Sequence, residues 1–405
     1  MQRETLKVDV LIVGAGPAGL SAAIRVAALS RRMGGEPLAV AVLEKSRQSG
    51  SHILSGAVLD PSGLDELLPD WKSRGAPVDT PVRNDRIYYL TERWQLRFPF
   101  NGPLNNHGNY VISLNRFIRW LAEQAETEGV DIFTGFAGAE VLYDGDRVVG
   151  VRTGDRGVDK RGAHKTTFEP GVDIRAAVTI FADGVRGNLT KTLIGRLGLG
   201  GPRPQTYALG IKELWTLPPD RVTPGQVVHT LGYPLRNEEF GGGFIYALSE
   251  GRISVGFVVG LDYRDPLFDP HMAFQRFKQH PLVSTTLAGG EMVRYGAKAL
   301  PEGGWYTLPR CHFDGGLIVG DAAGFLNSMR LKGIHLAMKS GIYAADAAVE
   351  ALRAGDVSAS KLSMFQQSIN AGSLRRELYP VRNVHQAFGA GLLAGLAFSA
   401  WSMVT

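Results

Sequence analysis

The chain has 405 residues, 44% hydrophobic and 20% charged, enough apolar material for a large core and two or three domains, which excludes intrinsic disorder. Lys and Arg number 44 against 39 Asp and Glu, a net charge of +5, but the basic residues are scattered, so no nucleic acid partner is expected and a modest attraction to anionic lipid is the better use of that charge. The single cysteine, Cys311, excludes a disulfide framework and any iron–sulfur or four-cysteine zinc site built from this chain alone, and the nine histidines show no HxxxH or HExxH spacing, so no metal site is expected.

The apolar run Val8-Asp9-Val10-Leu11-Ile12-Val13 reads as a strand, and Gly14-Ala15-Gly16-Pro17-Ala18-Gly19 follows it at once. This is the order a dinucleotide site needs: Gly14 makes the tight turn, Gly16 lets backbone approach a pyrophosphate, and Gly19 lets the helix of residues 17–32 lie close to the sheet. The phosphate then meets the positive end of the helix dipole and its unpaired N–H groups. Leu38-Ala39-Val40-Ala41-Val42-Leu43 reads as the next parallel strand, with Glu44 at its end placed to accept from ribose hydroxyls and Lys45 beside it. Because the first strand begins by residue 7, no signal or transit segment is expected ahead of it.

Apolar spacing predicts a helix over 115–128 behind an Asn115 cap. Short strands follow at Val130–Thr134, Ala139–Tyr143, Val148–Thr153 and Val172–Ala182, with a turn at Asp144-Gly145-Asp146. Ala182-Asp183-Gly184-Val185-Arg186-Gly187 is a second glycine-bearing strand-to-helix turn. Residues 205–263 read as several strands, and with the irregular stretch around 60–110 they form a second, sheet-based domain.

Gly316-Leu317-Ile318-Val319 and then Gly320-Asp321-Ala322-Ala323-Gly324 repeat the strand-and-glycine theme far along the chain. Asp321 reads either as a ligand for the cofactor's ribityl or pyrophosphate region or as a plain helix cap. Helices are predicted at Gly333–Arg353 and Lys361–Gly372. The apolar stretch 387–405 carries glycines and reads as a buried or interfacial helix rather than a membrane span.

The order GxGxxG, then DGxxG, then GD resembles the aromatic-hydroxylase-like branch of flavoproteins. Narrower strings resemble electron-transfer flavoprotein:ubiquinone oxidoreductase: Leu54-Ser55-Gly56-Ala57-Val58-Leu59-Asp60-Pro61, Asn105-Asn106-His107-Gly108-Asn109-Tyr110, Lys212-Glu213-Leu214-Trp215, Val258-Val259-Gly260-Leu261-Asp262-Tyr263 and Ala337-Met338-Lys339-Ser340-Gly341. The resemblance implies an α/β, glutathione-reductase-type two-domain FAD fold with a mixed-sheet quinone domain inserted. The FAD domain is expected from 1–60, 110–200 and 300–405, and the quinone domain from 61–109 and 201–299. FAD would be held by Gly14, Gly16, Pro17, Ala18, Gly19, Glu44, Lys45, Gly56, Asp183, Gly184, Gly320, Asp321, Gly333 and Ile334.

The resemblance further implies a quinone site at Phe240-Gly241-Gly242-Gly243-Phe244-Ile245-Tyr246, with Gly241, Gly242 and Gly243 in close approach to a quinone oxygen and His107 or Tyr246 as proton donors. Three glycines in a strand-rich region cost stability and call for a reason; close ligand approach is one, and a bulge or hairpin turn is the alternative. Phe98, Pro99, Phe100, Pro103 and Leu104 would form a lipid-facing rim. The implied partners are electron-transfer flavoprotein and ubiquinone, and the implied location is peripheral, or monotopic, on the cytoplasmic face of the bacterial inner membrane.

The family's [4Fe-4S] cluster is not bindable by Cys311 alone, so either a shortened product or a split system with a separate ferredoxin is expected, as in nitrogen-fixation-associated quinone reductases. The competing expectations are a geranylgeranyl-reductase-like or hydroxylase-like NAD(P)H enzyme and a non-catalytic, flavin-loaded docking subunit.

Overall fold

The computed structural model describes residues 3–389 apart from Leu54, Asp79 and Phe100, together with Gly391 and a few positions among 394–401. Two large sheets organise the chain. The first has a parallel heart, in the order Gly316–Ile318, Asp173–Phe181, Thr5–Val13, Val40–Glu44 and Asp131–Thr134. Val10, Leu11 and Ile12 are fully buried, as a strand covered on both faces requires, each contributing about 1.5–3 kcal/mol of burial. The antiparallel pair Gly138–Asp144 and Arg147–Thr153 extends the sheet through Asp173–Phe181.

The helices Pro17–Met33 and Ile334–Arg353 cross on this sheet at unusually short range, because Gly341 brings its bare α-carbon against Ala18: a Cβ there would lie 2.2 Å from the Ala18 carbonyl oxygen. The helix Leu114–Thr127 completes the layer, with Phe117, Ile118 and Leu121 fully buried.

The second sheet has seven strands in the order Glu291–Pro301, Tyr207–Thr216, Arg252–Gly260, Gly241–Ala247, Gln226–Gly232, Asn84–Leu90 and Gln95–Arg97. All neighbours are antiparallel except the parallel pair Asn84–Leu90 and Gln226–Gly232. One face is covered by the helices Pro270–Gln279 and Pro281–Leu287 through Phe274, Phe277 and Val283. The other face, through Ala208, Leu214, Phe244, Tyr246 and Val258, meets Val58 and Val111 of a small three-stranded sheet that belongs to the approach from the first domain.

Several expectations shift. Asn115 does not cap its helix: Ser113 occupies that position, and the buried Asn115 amide donates instead to the Gly50 carbonyl at 2.6 Å. The helix expected over 361–372 divides at Ser363 into Ala359–Leu362 and Met364–Ala371. The stretch after residue 61 does not go wholly to the second domain, because the helix Ser62–Leu67 and Trp71 join the core of the first. The three glycines lie inside a strand rather than in a hairpin turn. Of the apolar C-terminal stretch, the described helix is Val384–Phe388, and most of 387–405 lies outside the described residues. Among the described residues no helix is long and apolar enough to cross a membrane.

Candidate functional site

The register of the parallel strands decides where the glycine turns go. Val13 pairs with both Leu43 and Phe181, and Phe181 pairs with Ile318, so four strands end side by side. Gly14, Glu44, Asp183 and Gly320 therefore emerge along one carboxyl edge, which is where open α/β sheets bind their ligands. Gly14 adopts φ +109, and a Cβ there would strike the Ala182 carbonyl oxygen at 2.4 Å. Gly19 is equally constrained, its Cβ position lying 2.0 Å from the Gly14 carbonyl oxygen. Gly16 differs: no atom lies within 4 Å of its Cβ position, and the same is true of Gly184. Pro17 opens the following helix at its first position and Ala18 touches the Gly320 turn, so the helix start faces open space bounded by glycine.

Glu44 turns its carboxylate back along this edge, accepting from the Ala15 N–H at 3.1 Å and from the Ser46 N–H and hydroxyl at 2.8 and 2.7 Å. Lys45 is exposed beside it. Asp183 is committed within its own turn: it accepts from the Thr190 N–H at 3.1 Å and from the Thr190 hydroxyl, fixing the first turn of the helix Asn188–Arg196. Burial raises its carboxyl above the usual range. A groove runs from Gly184 and Arg186 past Gln205 and Tyr207 to Asp321 and Gly324.

Gly320, at φ +62, donates its N–H to the Ser340 hydroxyl at 2.9 Å, which ties the turn to the long helix begun by Gly333 and Ile334. Asp321 lines the groove, and burial pushes its carboxyl up to about 6 against the pull of Lys298. Lys298 itself is held below its ordinary value by burial and by Lys45, while Asp321 and Glu44 pull the other way. The edge strand Glu291–Pro301 thus carries a cation to the carboxyl edge of the first sheet.

Gly56, at φ +89, makes a close approach to the second sheet, where a Cβ would strike Ser254. Its carbonyl accepts from the half-buried Lys212 ammonium at 2.7 Å, and loss of solvent around it pushes that lysine down to about 8. Lys212 lies over the Phe244 ring, on the face shared by Gly242, Phe244 and Tyr246.

Tyr246 is buried, stacked on Phe244, and its hydroxyl shares a 2.9 Å hydrogen bond with His229 Nε2. Burial and the charge of Lys332 bring His229 down to about 3, so the imidazole is neutral, while burial and then Asp85 raise the tyrosine. Lys332 is likewise buried and pushed down to about 8. His107 stands apart from this cluster, exposed in a turn.

The glycine strand has two different sides. Pairing with Gln226–Gly232 ends at Thr230 opposite Gly243, so Gly241 and Gly242 pair with Arg252–Gly260 alone. Gly243 has its own packing reason: a Cβ would lie 2.2 Å from Cζ of Phe277. Just before the glycines, the Phe240 ring lies 4.4 Å from His385, which reaches Asp262 and Glu302. Lys212, His229, Lys298, Lys332, Glu302 and His385 carry no spacing motif, and the role of each becomes visible only through contacts between segments distant in the chain. Cys311 is buried, its thiol donating to the Pro309 carbonyl and pushed up to about 12 by burial.

Residues 207–300 match the family model described as ETF-QO, ubiquinone-binding. Over 402 residues the chain is 45% identical to the mitochondrial electron transfer flavoprotein-ubiquinone oxidoreductase of Arabidopsis thaliana, covering 98% of this chain and 62% of that protein. The Oryza sativa relative of the same name is 44% identical, with 98% and 69% covered, and the Bos taurus relative 44%, with 98% and 66%. The chain thus spans about two thirds of the length of the relatives it matches.

Among solved structures, a geranylgeranyl bacteriochlorophyll reductase-like protein from Thermoplasma acidophilum superposes with a TM-score of 0.75 at 21% identity, covering 98% of this chain and 90% of its own. A flavin-dependent brominase gives 0.67 at 18%, covering 97% and 89%. These likenesses establish the fold as the α/β arrangement shared by two-domain flavoenzymes.

Proposed function

Because the chain belongs to the electron transfer flavoprotein-ubiquinone oxidoreductase family, we propose that it holds FAD and passes electrons from it to ubiquinone. The observation that carries the reading is that the family's ubiquinone-binding region coincides with five strands of the seven-stranded sheet, whose Gly242, Phe244 and Tyr246 face turns toward the glycine-marked domain. FAD, when bound, stores and releases the electrons. The residues fit it: the open space at Gly16 and Gly184 admits a pyrophosphate where a Cβ would intrude on it. Glu44 and Lys45 stand where the adenosine end would pass, Gly320 and Asp321 border the groove, and Gly333 and Ile334 start a helix whose positive end favours developing negative charge. Gly56 is fixed by Lys212 against the sheet.

Reducing ubiquinone to ubiquinol takes two electrons and two protons. Gly241 and Gly242, beyond the end of the ladder with Gln226–Gly232, offer backbone groups to a quinone oxygen, and Tyr246 with His229 forms a buried hydroxyl–imidazole pair on the same strand. His107 would serve from the entrance. The donor is electron-transfer flavoprotein, with the [4Fe-4S] step on a separate ferredoxin or on sequence beyond this chain. The location is peripheral, on the cytoplasmic face of a bacterial inner membrane, with the exposed Trp94 and Leu96 supporting an apolar contact beside Phe98 and Pro99.

Stopped-flow mixing of dithionite-reduced, FAD-loaded protein with a short-chain ubiquinone under anaerobic conditions tests the reading. Rapid flavin reoxidation is the expected result, and a flavin that stays bleached would remove quinone reduction from consideration.

A further inference from the structure

A second cavity opens on the opposite side of the seven-stranded sheet, away from the glycine-marked edge and next to the helix Pro281–Leu287. Val228, Ile245 and Ile253 give it an apolar wall, while Arg86, Arg93 and Arg221 bring three guanidinium groups to its lining and no Asp or Glu joins them. Three like charges around one hollow repel each other and call for an anion.

Two of the arginines are held by hydrogen bonds, and none is neutralised. Arg221 donates to the carbonyls of Ala288 at 2.5 Å and Thr285 at 3.0 Å, and Arg86 to the Asn84 side-chain oxygen at 3.1 Å. Among the described residues none of the three is in an ion pair. His280 lines the cavity at 2% exposure, its Nδ1 accepting from the Leu282 N–H at 3.2 Å, and its ring faces the Trp94 and Thr91 backbone, which ties the helix Pro281–Leu287 to the hairpin that carries Arg93.

The hairpin that brings Arg93 identifies the kind of anion. Arg93 and Gln95 line the cavity while exposed, and their neighbours Trp94 and Leu96 are 78% and 70% exposed. An edge hairpin that exposes a tryptophan and a leucine beside an arginine has the distribution of a segment seated at a lipid–water boundary. An apolar wall directly beside the cations matches a headgroup with its first acyl carbons better than it matches a free inorganic ion.

We propose that this cavity seats the phosphate of an anionic phospholipid and so orients the quinone domain on the membrane. The proposal deepens the peripheral-membrane reading given above and rests on it, while quinone reduction by the soluble assay stands or falls separately.

Flotation of the FAD-loaded full chain with vesicles of phosphatidylcholine, alone or mixed with phosphatidylglycerol, tests it. The wild type should prefer the anionic vesicles, and Arg86→Gln/Arg93→Gln/Arg221→Gln should erase that preference, by roughly fivefold per charge. Arg93→Gln alone, at an exposed side chain without a partner, covers the case in which the triple variant fails to fold. Lys160→Gln/Arg161→Gln/Lys165→Gln removes the same charge from a remote hairpin and should keep the preference. Trp94→Ser should weaken binding to both vesicle types. The proposal is overturned if the wild type does not discriminate, if the cavity variants retain the preference, if the remote variant loses it equally, or if millimolar inorganic phosphate abolishes it. If Trp94→Ser also leaves binding unchanged, the membrane reading itself fails.

Discussion

The imidazole Nε2 of His385 lies 3.0 Å from a carboxylate oxygen of Asp262, joining the last described helix to the end of the strand that follows the glycine segment. The other ring nitrogen is 3.4 Å from Glu302, whose side chain is completely buried. Burial of the ring lowers the pKa of His385, but hydrogen bonds and charge from Asp262 and Glu302 outweigh it and push the group up to about 9.

A raised imidazole pKa means that the native state holds a proton which the unfolded chain releases near 6.5, so this contribution is fully present below pH 6.5 and is lost as pH rises through about 9. Its size at pH 7 is on the order of 2 kcal/mol. Burial raises Glu302 too, which acts in the same direction, while Asp262 is lowered by His385 and matters only below its ordinary 3.8. His385→Gln should therefore cost more stability at pH 7 than at pH 10, read as the gap between wild-type and variant melting temperatures. An equal gap at both values would mean that the ring is not charged in the native state.

The two glycines at the mouth of the first motif make opposite predictions. Gly16→Val places a side chain in open space, so the apoprotein should melt within about 0.5 kcal/mol of wild type. FAD content, read from flavin absorbance per protein, should nonetheless fall by about tenfold or more, because the branched side chain occupies the phosphate approach. Gly19→Ala forces a Cβ to 2.0 Å from the Gly14 carbonyl oxygen and should cost about 1–3 kcal/mol even without FAD. Apoproteins of equal stability, or a Gly16→Val protein that fills with FAD, would contradict the assignment.

Lys212 offers a test with the reverse pH sign. Burial lowers this lysine to about 8, so folding disfavours its charged form and the cost shrinks as pH climbs from 8 toward the ordinary 10.5. Lys212→Met removes that cost but leaves the Gly56 carbonyl without its donor, a loss of about 1–3 kcal/mol. The variant should thus look least harmful near pH 7 and increasingly destabilised toward pH 10. A penalty that stays flat across this range would show that the ammonium is already solvated.

The parts of this architecture written in local pattern were legible, and the parts made by distant strands were not. Val10–Val13, the Gly14–Gly19 turn and the Asp183 and Gly320 turns each announce a strand followed by a loop of special geometry, so the carboxyl edge was readable. Strand pairing leaves no such mark. Lys298 reaches Asp321 only because Glu291–Pro301 is an edge strand, and His229 meets Tyr246 because Val227 pairs with Tyr246 across a hairpin. Nor does the local pattern show that the carboxylate of Asp183, seven residues before a threonine at a helix start, accepts from that helix's first turn.

The last prediction separates packing from binding within the triple glycine. A Cβ at Gly243 would lie 2.2 Å from Phe277 Cζ, on the helix-covered face, so Gly243→Ala should cost about 1–3 kcal/mol through overpacking. Phe277→Leu alone opens space in the same core and should also destabilise. Together the two changes relieve each other, so the double variant should be more stable than the sum of the single effects by about 0.5–3 kcal/mol. At Gly242 a Cβ meets the Thr230 carbonyl oxygen at 2.2 Å, a backbone atom that trimming Phe277 cannot move, so Gly242→Ala should show no such relief. Urea unfolding of the four variants checks the coupling. If Phe277→Leu instead rescues Gly242→Ala, or fails to rescue Gly243→Ala, the two faces of the strand have been assigned the wrong way round.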